Sequence, residues 1–422
     1  MILSRNDGRP LRHADALALL KTRVRPRPAE EMVSLCAAAG RIASRAVEAA
    51  GAVPSAANSA VDGYAFAFRH YDPGRGATLA VEGRAAAGHP AASPAHGGAV
   101  SVRIFTGALL PDGCDTVAMQ EDVRILDGIG SAHVVLPAGL APGANVRPAG
   151  EDVAVGAPVF AVGQVLRPQD LAQLASIGVQ EVWCYRRLSV AFASTGDEVK
   201  RGQAVLGSGQ IHDANGPLLR AIVEAAGCDV ADLGVLPDEP EALKAALGAA
   251  SAQHAAIITS GGVSRGEEDY LAGVLGEIGR QFLWQVAVKP GRSLIFGEIG
   301  DCLMIGLPGN PVAAFVGALI YARPALARLG GATWREPHRY PLRAVFDFRG
   351  RKTGRREFWR GILVDTPEGL AVDKYRRDGS GLISGLRASD GLIDIPEDRG
   401  DVRAGELVDF ISYAELGLPT RA

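Results

Sequence analysis

Short apolar runs alternate with helical patterns four times between residues 188 and 329, beginning with LSVAFAS, PLLRAIVEAAG, DVADLGVL and EPEALKAAL. Strands and helices that alternate at this spacing predict a parallel sheet with helices on both faces. Ligands of such sheets bind at the carboxyl ends of the strands. The loops that follow three of the predicted strands, residues 194–199, 259–270 and 306–311, are therefore expected to meet at one edge of the sheet.

The segments around this α/β unit have a different character. Ala-rich and Leu-rich turns predict helical structure in residues 10–50, with Gly40 ending a helix that contains EEMVSLCAAA. These residues are too few to bury a core alone, so we expect them to pack with a second segment that contains the predicted helix RPQDLAQLASIG. Val-rich runs broken by Gly and Pro predict β-structure before and after the α/β unit.

The expected fold class is therefore a multidomain α/β protein built around a doubly wound domain with a parallel-sheet core. Its predicted parts are a discontinuous helical and extended domain (1–50 plus 150–186), an inserted β-rich domain (51–149), the α/β domain (187–330) and a small C-terminal β-barrel or sandwich (335–418).

Charge and composition exclude several classes of function. A formal net charge of −3 over 422 residues is too neutral for a protein that coats nucleic acid. No uninterrupted apolar stretch approaches the roughly 20 residues of a membrane helix, and the N-terminus lacks a signal pattern. The five cysteines are scattered without a CxxC pair, which indicates reduced thiols and neither zinc nor disulfides. We expect a cytoplasmic protein that binds neither nucleic acid nor a membrane.

The glycine-rich loops predict an anion site. SGGVSRGEEDY and GLPGNPVAAF each place flexible backbone at the top of a strand where a helix begins, which suits an anionic ligand. The turn KPGR between them adds the positive charges of Lys289 and Arg292. Three consecutive carboxylates, Glu267, Glu268 and Asp269, stand beside this cradle. Since they repel a phosphate unless a divalent cation lies between, the pattern predicts a metal-bridged phosphate site.

Structural roles remain open for the acidic residues. The helix dipole alone favours carboxylates at the start of a helix, where residues 267–269 are predicted. Asp197 and Glu198, in TGDE, have residue types that are common in turns and caps, and Asp62 before Gly63 forms a good turn dipeptide. Asp238, in PDEP, is predicted mainly to cap a helix. The basic stretch between Arg335 and Arg360 is predicted to be mostly a solvated strand face.

Seven segments in order resemble the signature segments of the molybdopterin molybdenumtransferases, the MoeA family, to which the E-domain of gephyrin is similar. They are NSAVDGYA (58–65), RIFTGALLPDGCDTVAMQED (103–122), GEDV (150–153), STGDE (194–198), SGGVSRGEEDY (260–270), KPGR (289–292) and GLPGNPVAAF (306–315). The resemblance implies the last step of molybdenum cofactor synthesis: molybdate is inserted into adenylylated molybdopterin, with magnesium-dependent cleavage of the phosphoanhydride and release of AMP.

The resemblance also implies roles for individual residues. The implied catalytic residues are Asp269, Glu198, Asp62, Asp152 and Thr106. Implied ligands of Mg²⁺ are Asp269, Glu198 and Asp197. The implied contacts of the pterin and its phosphates are Ser260, Gly261, Gly262, Ser264, Lys289, Arg292, Pro308, Gly309, Asn310, Pro311, Arg360 and Ser380, with Arg355 a further candidate. In the family, the β-rich insertion of one subunit faces the α/β domain of the other, which implies a homodimer with a shared site and dimerisation through the discontinuous domain.

The sequence departs from some relatives, which carry lysine at the positions of Gln285 and Arg292. Loss of a charge at Gln285 would weaken molybdate capture if that position lines the pocket, whereas Arg292 keeps the charge as a planar fork. Two other functions are compatible with the resemblance: a molybdopterin adenylyltransferase, which the central domain resembles, and a gephyrin-like scaffold without catalysis. A transferase of this kind would also receive its substrate from a molybdopterin adenylyltransferase partner.

Overall fold

The computed structural model describes residues 10–26, 28–92, 98–126, 132–264 and 269–420. Its centre is a six-stranded sheet, which confirms the predicted doubly wound α/β domain. The strands lie in the order Asp229–Leu236, Ser189–Thr195, Ala256–Ser260, Cys302–Leu307, Ile295–Ile299 and Arg280–Trp284. The first four are parallel and the last two are added antiparallel, so a hairpin forms one edge.

Helices cover both faces of this sheet because the strand residues alternate between two cores. Phe192 and Ile258 face one core, in which Leu219 and Val312 are buried. Their chain neighbours face the second core. The helices of the first face are Asn215–Ala225 and a run formed by Pro311–Gly317, the π-helical Ala318–Ala322 and Arg323–Leu329; those of the second are Pro240–Ser251 and Leu271–Ile278.

The helical run Pro311–Leu329 has the length and hydropathy of a membrane span. Its 19 residues have a mean hydropathy of 1.4, but 78% of the window is buried inside the molecule. The core helix of a soluble protein meets the same test, so the run carries no evidence for a membrane.

The C-terminal strands form a small closed β-barrel, as predicted. Their order is Arg356–Thr366, Gly369–Lys374, Tyr340–Ala344, Leu407–Ser412 and Gly391–Ile395, and the last strand pairs back with the first. The two-residue strand Val288–Lys289 adds to Arg356–Thr366 in parallel, and the helix Ile383–Ala388 follows the second strand of the barrel. The KPGR turn is therefore held between the central domain and the barrel.

A second six-stranded sheet occupies the region predicted to be an inserted β-rich domain. Its order is Thr116–Met119, Gly63–Phe66, Val100–Ile104, Ala77–Ala85, His133–Leu136 and Arg124–Leu126. A short 3-10 helix, Phe68–His70, follows its first strand in sequence, and the pair Asn58–Ser59 and Val146–Arg147 lies at its base.

The segments that precede and follow this inserted sheet pair with each other. Glu30–Ser34 pairs with Glu181–Tyr185, and Val47–Glu48 with Pro158–Phe160. The predicted helix around Pro168 spans Pro168–Ser176. The helix predicted for EEMVSLCAAA is wrong: its first five residues form a strand, and only Leu35–Ala37 is a 3-10 turn. The partner strand Glu181–Tyr185, remote in sequence, overrides the local helical preference.

The first helix, His13–Arg23, differs from the expectation that all of residues 10–50 pack with residues 150–186. Its buried side chains Ala16, Leu17 and Leu20 belong to the core of the central domain. The helix contacts Arg323–Leu329, so it closes one face of the α/β domain instead.

Candidate functional site

A cleft of about 1400 Å³ opens at the carboxyl edge of the central sheet. The loops that follow three parallel strands line it, together with residues 288–293 and the facing wall of the barrel. Every residue that was expected to contact the pterin and its phosphates lies on this surface: Ser260, Gly261, Gly262, Ser264, Lys289, Arg292, Pro308, Gly309, Asn310, Pro311, Arg360 and Ser380. The strand-edge rule thus brings the two glycine-rich loops to one cavity.

The floor of the cleft depends on glycine at position 261. Gly261 has a φ of +108°, and a Cβ there would lie 2.5 Å from Thr195 Oγ1 and 2.7 Å from Thr195 O. Glycine alone combines this backbone conformation with so close an approach to Thr195. Gly309 lies beside Gly261 at ordinary van der Waals distance, since an added Cβ on Gly309 would lie 3.7 Å from Gly261 Cα.

Asn215, which was not predicted as a site residue, joins the two glycine-rich loops. Its Nδ2 donates to Ser260 Oγ at 2.7 Å and to Gly309 O at 2.6 Å. Because a carbonyl only accepts, the contact with Gly309 fixes which end of the amide is the nitrogen. Its Oδ1 is buried and has no hydrogen-bond partner in the described part of the chain. The only sequence signal was an asparagine at the start of a helix, in DANGPLL.

Carboxylates gather on one side of the cleft. Glu198, Asp238 and Asp269 line it, and Asp197 lies just behind: the N–H of Asp197 donates to Asp238 Oδ2, and the N–H of Asp238 donates to Asp197 Oδ1, both at 3.3 Å. Partial burial and the negative charges of Asp197, Glu198 and Asp269 raise the pKa of Asp238. The hydrogen bond from the N–H of Asp197 acts in the opposite direction.

The described residues on the acidic side of the cleft do not form a complete set of metal ligands. Among the described residues, no three His, Cys, Asp or Glu side chains converge as ligands of one ion. Glu267 and Glu268, which were expected to contribute, lie outside the described residues. Asp197 lies in the turn 196–199 and does not line the cleft. Its hydrogen bonds with Asp238 join two loops. Neither residue is the N-cap of the helix Pro240–Ser251, which is Glu239, so the capping role predicted for Asp238 is wrong.

Fixed positive charge also lines the cleft. Lys289 Nζ lies 3.4 Å from Glu357 Oε2, whose side chain is only 3% exposed and also accepts from Trp359 Nε1 at 2.8 Å. The buried carboxylate therefore orients an ammonium that remains 47% exposed to the cleft. Gln285, where some relatives carry lysine, is buried and does not line the cleft.

Arg360 lines the cleft, but its guanidinium N–H groups bind backbone carbonyls of the protein. Its guanidinium donates to Leu382 O at 3.0 Å and to Arg377 O at 2.6 Å, and it stacks 5.0 Å from the ring of Tyr375. Burial lowers its pKa. Arg360 thereby shapes the loop that contains Ser380, whose carbonyl in turn accepts the N–H of Val312 at 2.8 Å. One amide at the start of the helix Pro311–Gly317 is thus occupied by protein.

Three predicted catalytic residues lie outside the cleft of their own chain. Asp62 and Thr106 belong to the inserted β-rich sheet, where Asp62 Oδ1 accepts from Thr106 N at 2.8 Å and from Thr106 Oγ1 at 2.7 Å. Both bonds lower the pKa of Asp62. Asp152 is an exposed residue whose N–H donates to Val53 O at 3.0 Å. A single chain does not bring these side chains to Glu198 and Asp269.

The cleft also has an aromatic and polar lining that the sequence analysis did not predict. Phe358 and Trp359 adjoin the cleft but are buried, whereas Tyr375 is partly exposed. Asp213 accepts from Ser194 Oγ at 2.6 Å and from Arg201 Nε at 2.8 Å, which fixes the rim beside the acidic side. The aromatic residues carry no local signature, because they belong to the barrel and reach the cleft only through its docking against the central domain.

Family profiles match nearly the whole chain. They are described as the MoeA N-terminal region (domain I and II) over residues 11–178, a probable molybdopterin binding domain over 191–328 and the MoeA C-terminal region (domain IV) over 343–413.

Curated relatives and solved structures agree with these profiles. The molybdopterin molybdenumtransferase of Haemophilus influenzae is 38% identical over 92% of this chain and 94% of its own length. The enzyme of the same name from Synechococcus elongatus is 33% identical over 95% and 99%. A crystal structure of the molybdopterin biosynthesis MoeA protein from Pyrococcus horikoshii OT3 superposes with a TM-score of 0.80 at 27% identity, covering 96% of this chain and all of the other.

Proposed function

The chain belongs to the MoeA family of molybdopterin molybdenumtransferases, transferases of molybdenum cofactor biosynthesis, and we propose that it inserts molybdate into adenylylated molybdopterin and releases AMP. One observation carries the proposal: two glycine-rich loops, the cations of the KPGR turn and the acidic residues Glu198 and Asp269 line a single cleft. A pterin joined to a nucleotide by a phosphoanhydride needs amide donors, fixed cations and a hard divalent ion around its oxygens.

We assign the phosphates to the wall formed by residues 260–264, 308–311 and Lys289. Gly261 and Gly309 carry no side chain that would cover the backbone N–H groups, and Lys289 is oriented by Glu357 while its own side chain stays 47% exposed. Of the aromatic residues at the cleft, only Tyr375 is partly exposed, so its ring is the one that suits the flat pterin. Arg360 acts on the ligand chiefly through the Ser380 loop that it supports.

Molybdate is a divalent tetrahedral oxyanion and therefore suits the same positively charged wall. The cation Lys289 and the exposed Arg292 would attract it to the dithiolene end of the bound pterin. Thiolate sulfur holds soft and borderline metals well, so transfer from oxygen ligands to the dithiolene is chemically reasonable for this metal.

The acidic side fits a magnesium ion. Carboxylate oxygens are the ligands that Mg²⁺ prefers, and the raised pKa of Asp238 marks negative charge that a cation would relieve. Glu198 and Asp269 would hold the ion, with Asp238 beside them in the cleft and Asp197 behind. When bound, the ion supplies positive charge that stabilises the oxygens of the breaking phosphoanhydride.

We further propose that the enzyme is a cytoplasmic homodimer whose active cleft is completed by the inserted domain of the second subunit. The motif residues Asp62, Thr106 and Asp152 lie away from the cleft of their own chain, and a second copy is the simplest source of these groups. Its pterin substrate would come from a molybdopterin adenylyltransferase. Mixing an inactive Asp62→Asn chain with an inactive Glu198→Gln chain should restore part of the activity if the site is shared.

The decisive experiment incubates purified full-length protein with adenylylated molybdopterin, Mg²⁺ and molybdate. AMP release that depends on molybdate, with formation of active cofactor, is the expected result. Formation of adenylylated pterin from ATP and free molybdopterin would instead identify an adenylyltransferase. Absence of both reactions would favour a scaffold of the gephyrin type.

A further inference from the structure

A buried carboxylate at the rim of the main cleft is bound by three donors of the protein. Asp213 lines the cleft, yet its side chain is only 4% exposed. Its Oδ2 accepts from Ser194 Oγ at 2.6 Å and from Arg201 Nε at 2.8 Å, and its Oδ1 accepts from the N–H of Gly216 at 2.8 Å. These bonds commit the carboxylate to the protein, so Asp213 acts on a ligand only through the groups that it holds.

The bond to Gly216 fixes the start of the helix Asn215–Ala225. The first N–H groups of a helix have no partner within the helix, and a carboxylate at this end satisfies one of them and interacts favourably with the helix dipole. Asn215 is the neighbouring residue, and its amide connects Ser260 Oγ with Gly309 O. The position of Asp213 therefore determines where the amide between the two glycine-rich loops lies.

Arg201 holds Asp213 without being one of the residues that line the cleft. Its guanidinium also donates from Nη1 to Asp232 Oδ1 at 2.5 Å, and Asp232 belongs to the edge strand Asp229–Leu236 of the central sheet. The planar fork of an arginine can bind two carboxylates at once. One guanidinium thus ties the start of the helix to the sheet and supplies the positive charge that a buried carboxylate requires.

Glycine at position 216 lets this ion pair approach the helix. An added Cβ on Gly216 would lie 2.6 Å from Asp213 Oδ2 and 3.3 Å from Arg201 Nη2. A larger residue would have to displace the ion pair, so the glycine of DANGPLL and the arginine at position 201 depend on each other.

We propose that Arg201 is a positioning residue of the cleft: through Asp213 it sets the place of Asn215 and thereby the spacing of the two glycine-rich loops. Arg201 acts through these contacts and not on the substrate itself. That the loops hold phosphates rests on the proposed function, whereas the connection between Arg201 and the loops does not. Because phosphates are held in the ground state and in the transition state alike, a shift of the loops weakens both, which raises KM with little change in kcat.

Arg201→Leu is the test substitution, because leucine removes both ion pairs and keeps an apolar group near the ring of Phe192, which lies 5.8 Å from the guanidinium carbon. The KM for adenylylated molybdopterin should rise about tenfold, and kcat should stay within about a factor of two of the wild type. Arg201→Lys keeps the charge but lacks the fork, so its KM should rise less. If Arg201→Leu does not fold, the lysine variant provides the test.

Two controls separate positioning from a general loss of stability. Asp232→Asn removes the other ion pair of the same guanidinium and keeps the bond to Asp213, so its KM should remain that of the wild type. Arg220→Leu is the matched control, since it removes an exposed ion pair with Glu224 on the same helix. The double variant Arg201→Leu/Asp213→Asn should have a KM no higher than the worse single variant, because both changes act through one contact.

Hydrogen exchange of the full-length protein tests the connection without turnover. Arg201→Leu should exchange faster than the wild type in residues 215–218, 260–262 and 309–312, whereas the barrel strand Leu407–Ser412 should exchange at the wild-type rate. Unchanged exchange in the first three segments would overturn the inference, as would a KM in Asp232→Asn as high as that in Arg201→Leu. A wild type that releases no AMP with molybdate would instead contradict the proposed function, and the exchange rates would still decide the role of Arg201.

Discussion

At the scale of single residues, Glu198 and Asp269 are the carboxylates on which the proposed chemistry depends most. We expect Glu198→Gln and Asp269→Asn each to lower kcat about 100-fold or more, because each amide keeps the shape and removes the charge that holds a divalent cation. Molybdate-dependent AMP release measures the loss. Both side chains lie on loops, so circular dichroism and the melting temperature should change little.

Glu241→Gln supplies the matched control for these substitutions, since Glu241 is exposed at the start of the helix Pro240–Ser251 and does not line the cleft. It should retain wild-type activity. Wild-type turnover in both Glu198→Gln and Asp269→Asn would show that the metal is held elsewhere.

Asp238 gives a second residue-scale prediction, through stability. Its folded pKa is raised by burial and by Asp197, Glu198 and Asp269, so the folded state holds its proton to higher pH than the unfolded chain. The contribution of Asp238 to stability is therefore lost as pH rises from its unfolded pKa through its raised folded pKa, and the loss is complete at neutral pH. Asp238→Asn should raise the melting temperature at pH 7.5 and not at pH 3.5.

Binding of Mg²⁺ should also change the melting temperature through Asp238. Because a bound cation would relieve the repulsion, Mg²⁺ should stabilise the wild type more than Asp238→Asn in thermal unfolding at pH 7.5. An equal rise in the melting temperature of both proteins would show that the ion does not interact with Asp238. Sodium chloride at matched ionic strength is the control, since it screens charge without specific ligation.

At the scale of elements, the two glycine-rich loops act as one surface because Asn215 connects them. Asn215→Asp removes the donor to Gly309 O and places a carboxylate oxygen against that carbonyl. We expect a destabilisation of about 1–3 kcal/mol from the unpaired buried group, visible as a lower melting temperature together with reduced turnover. Ser260→Ala removes one acceptor and keeps the bond to Gly309, so its effect should be smaller. A melting temperature equal to that of the wild type in Asn215→Asp would contradict this role.

The same elements show how far local sequence determines this molecule. The four parallel strands and the helices of the central domain follow from apolar periodicity and glycine placement, and the carboxyl-edge rule then locates the cleft. The antiparallel edge strands Arg280–Trp284 and Ile295–Ile299 were not predicted. The strand Glu30–Ser34 was missed because its partner, Glu181–Tyr185, is about 150 residues away and outweighs an Ala-rich context. Asn215, Phe358 and Trp359 were missed for a related reason: their place in the cleft is set by contacts between elements.

At the scale of the whole molecule, a buried polar group joins the first helix, the central domain and the barrel. His13 Nδ1 lies 2.8 Å from the hydroxyl of Tyr321, and the His13 ring packs edge-on against Phe358. Next to them, the fully buried Asp394 of the barrel pairs with Arg356 at 2.6 Å and with Arg339 at 2.8 Å. Protonation of His13 would place a new charge at the junction of three parts of the fold.

Burial, reinforced by the positive charge of Arg356, lowers the pKa of His13 from 6.5 to about 4. Between these values the unfolded chain binds a proton that the folded chain does not, so stability is complete above pH 6.5 and falls as pH decreases towards 4. The loss attributable to this group is about 3 kcal/mol.

His13→Gln keeps a hydrogen-bonding partner for Tyr321 without titrating, and should flatten the curve of melting temperature against pH in this range. His89→Gln, at an exposed site, should leave the wild-type slope; parallel slopes for the wild type and His13→Gln would assign the acid sensitivity to the surrounding carboxylates instead.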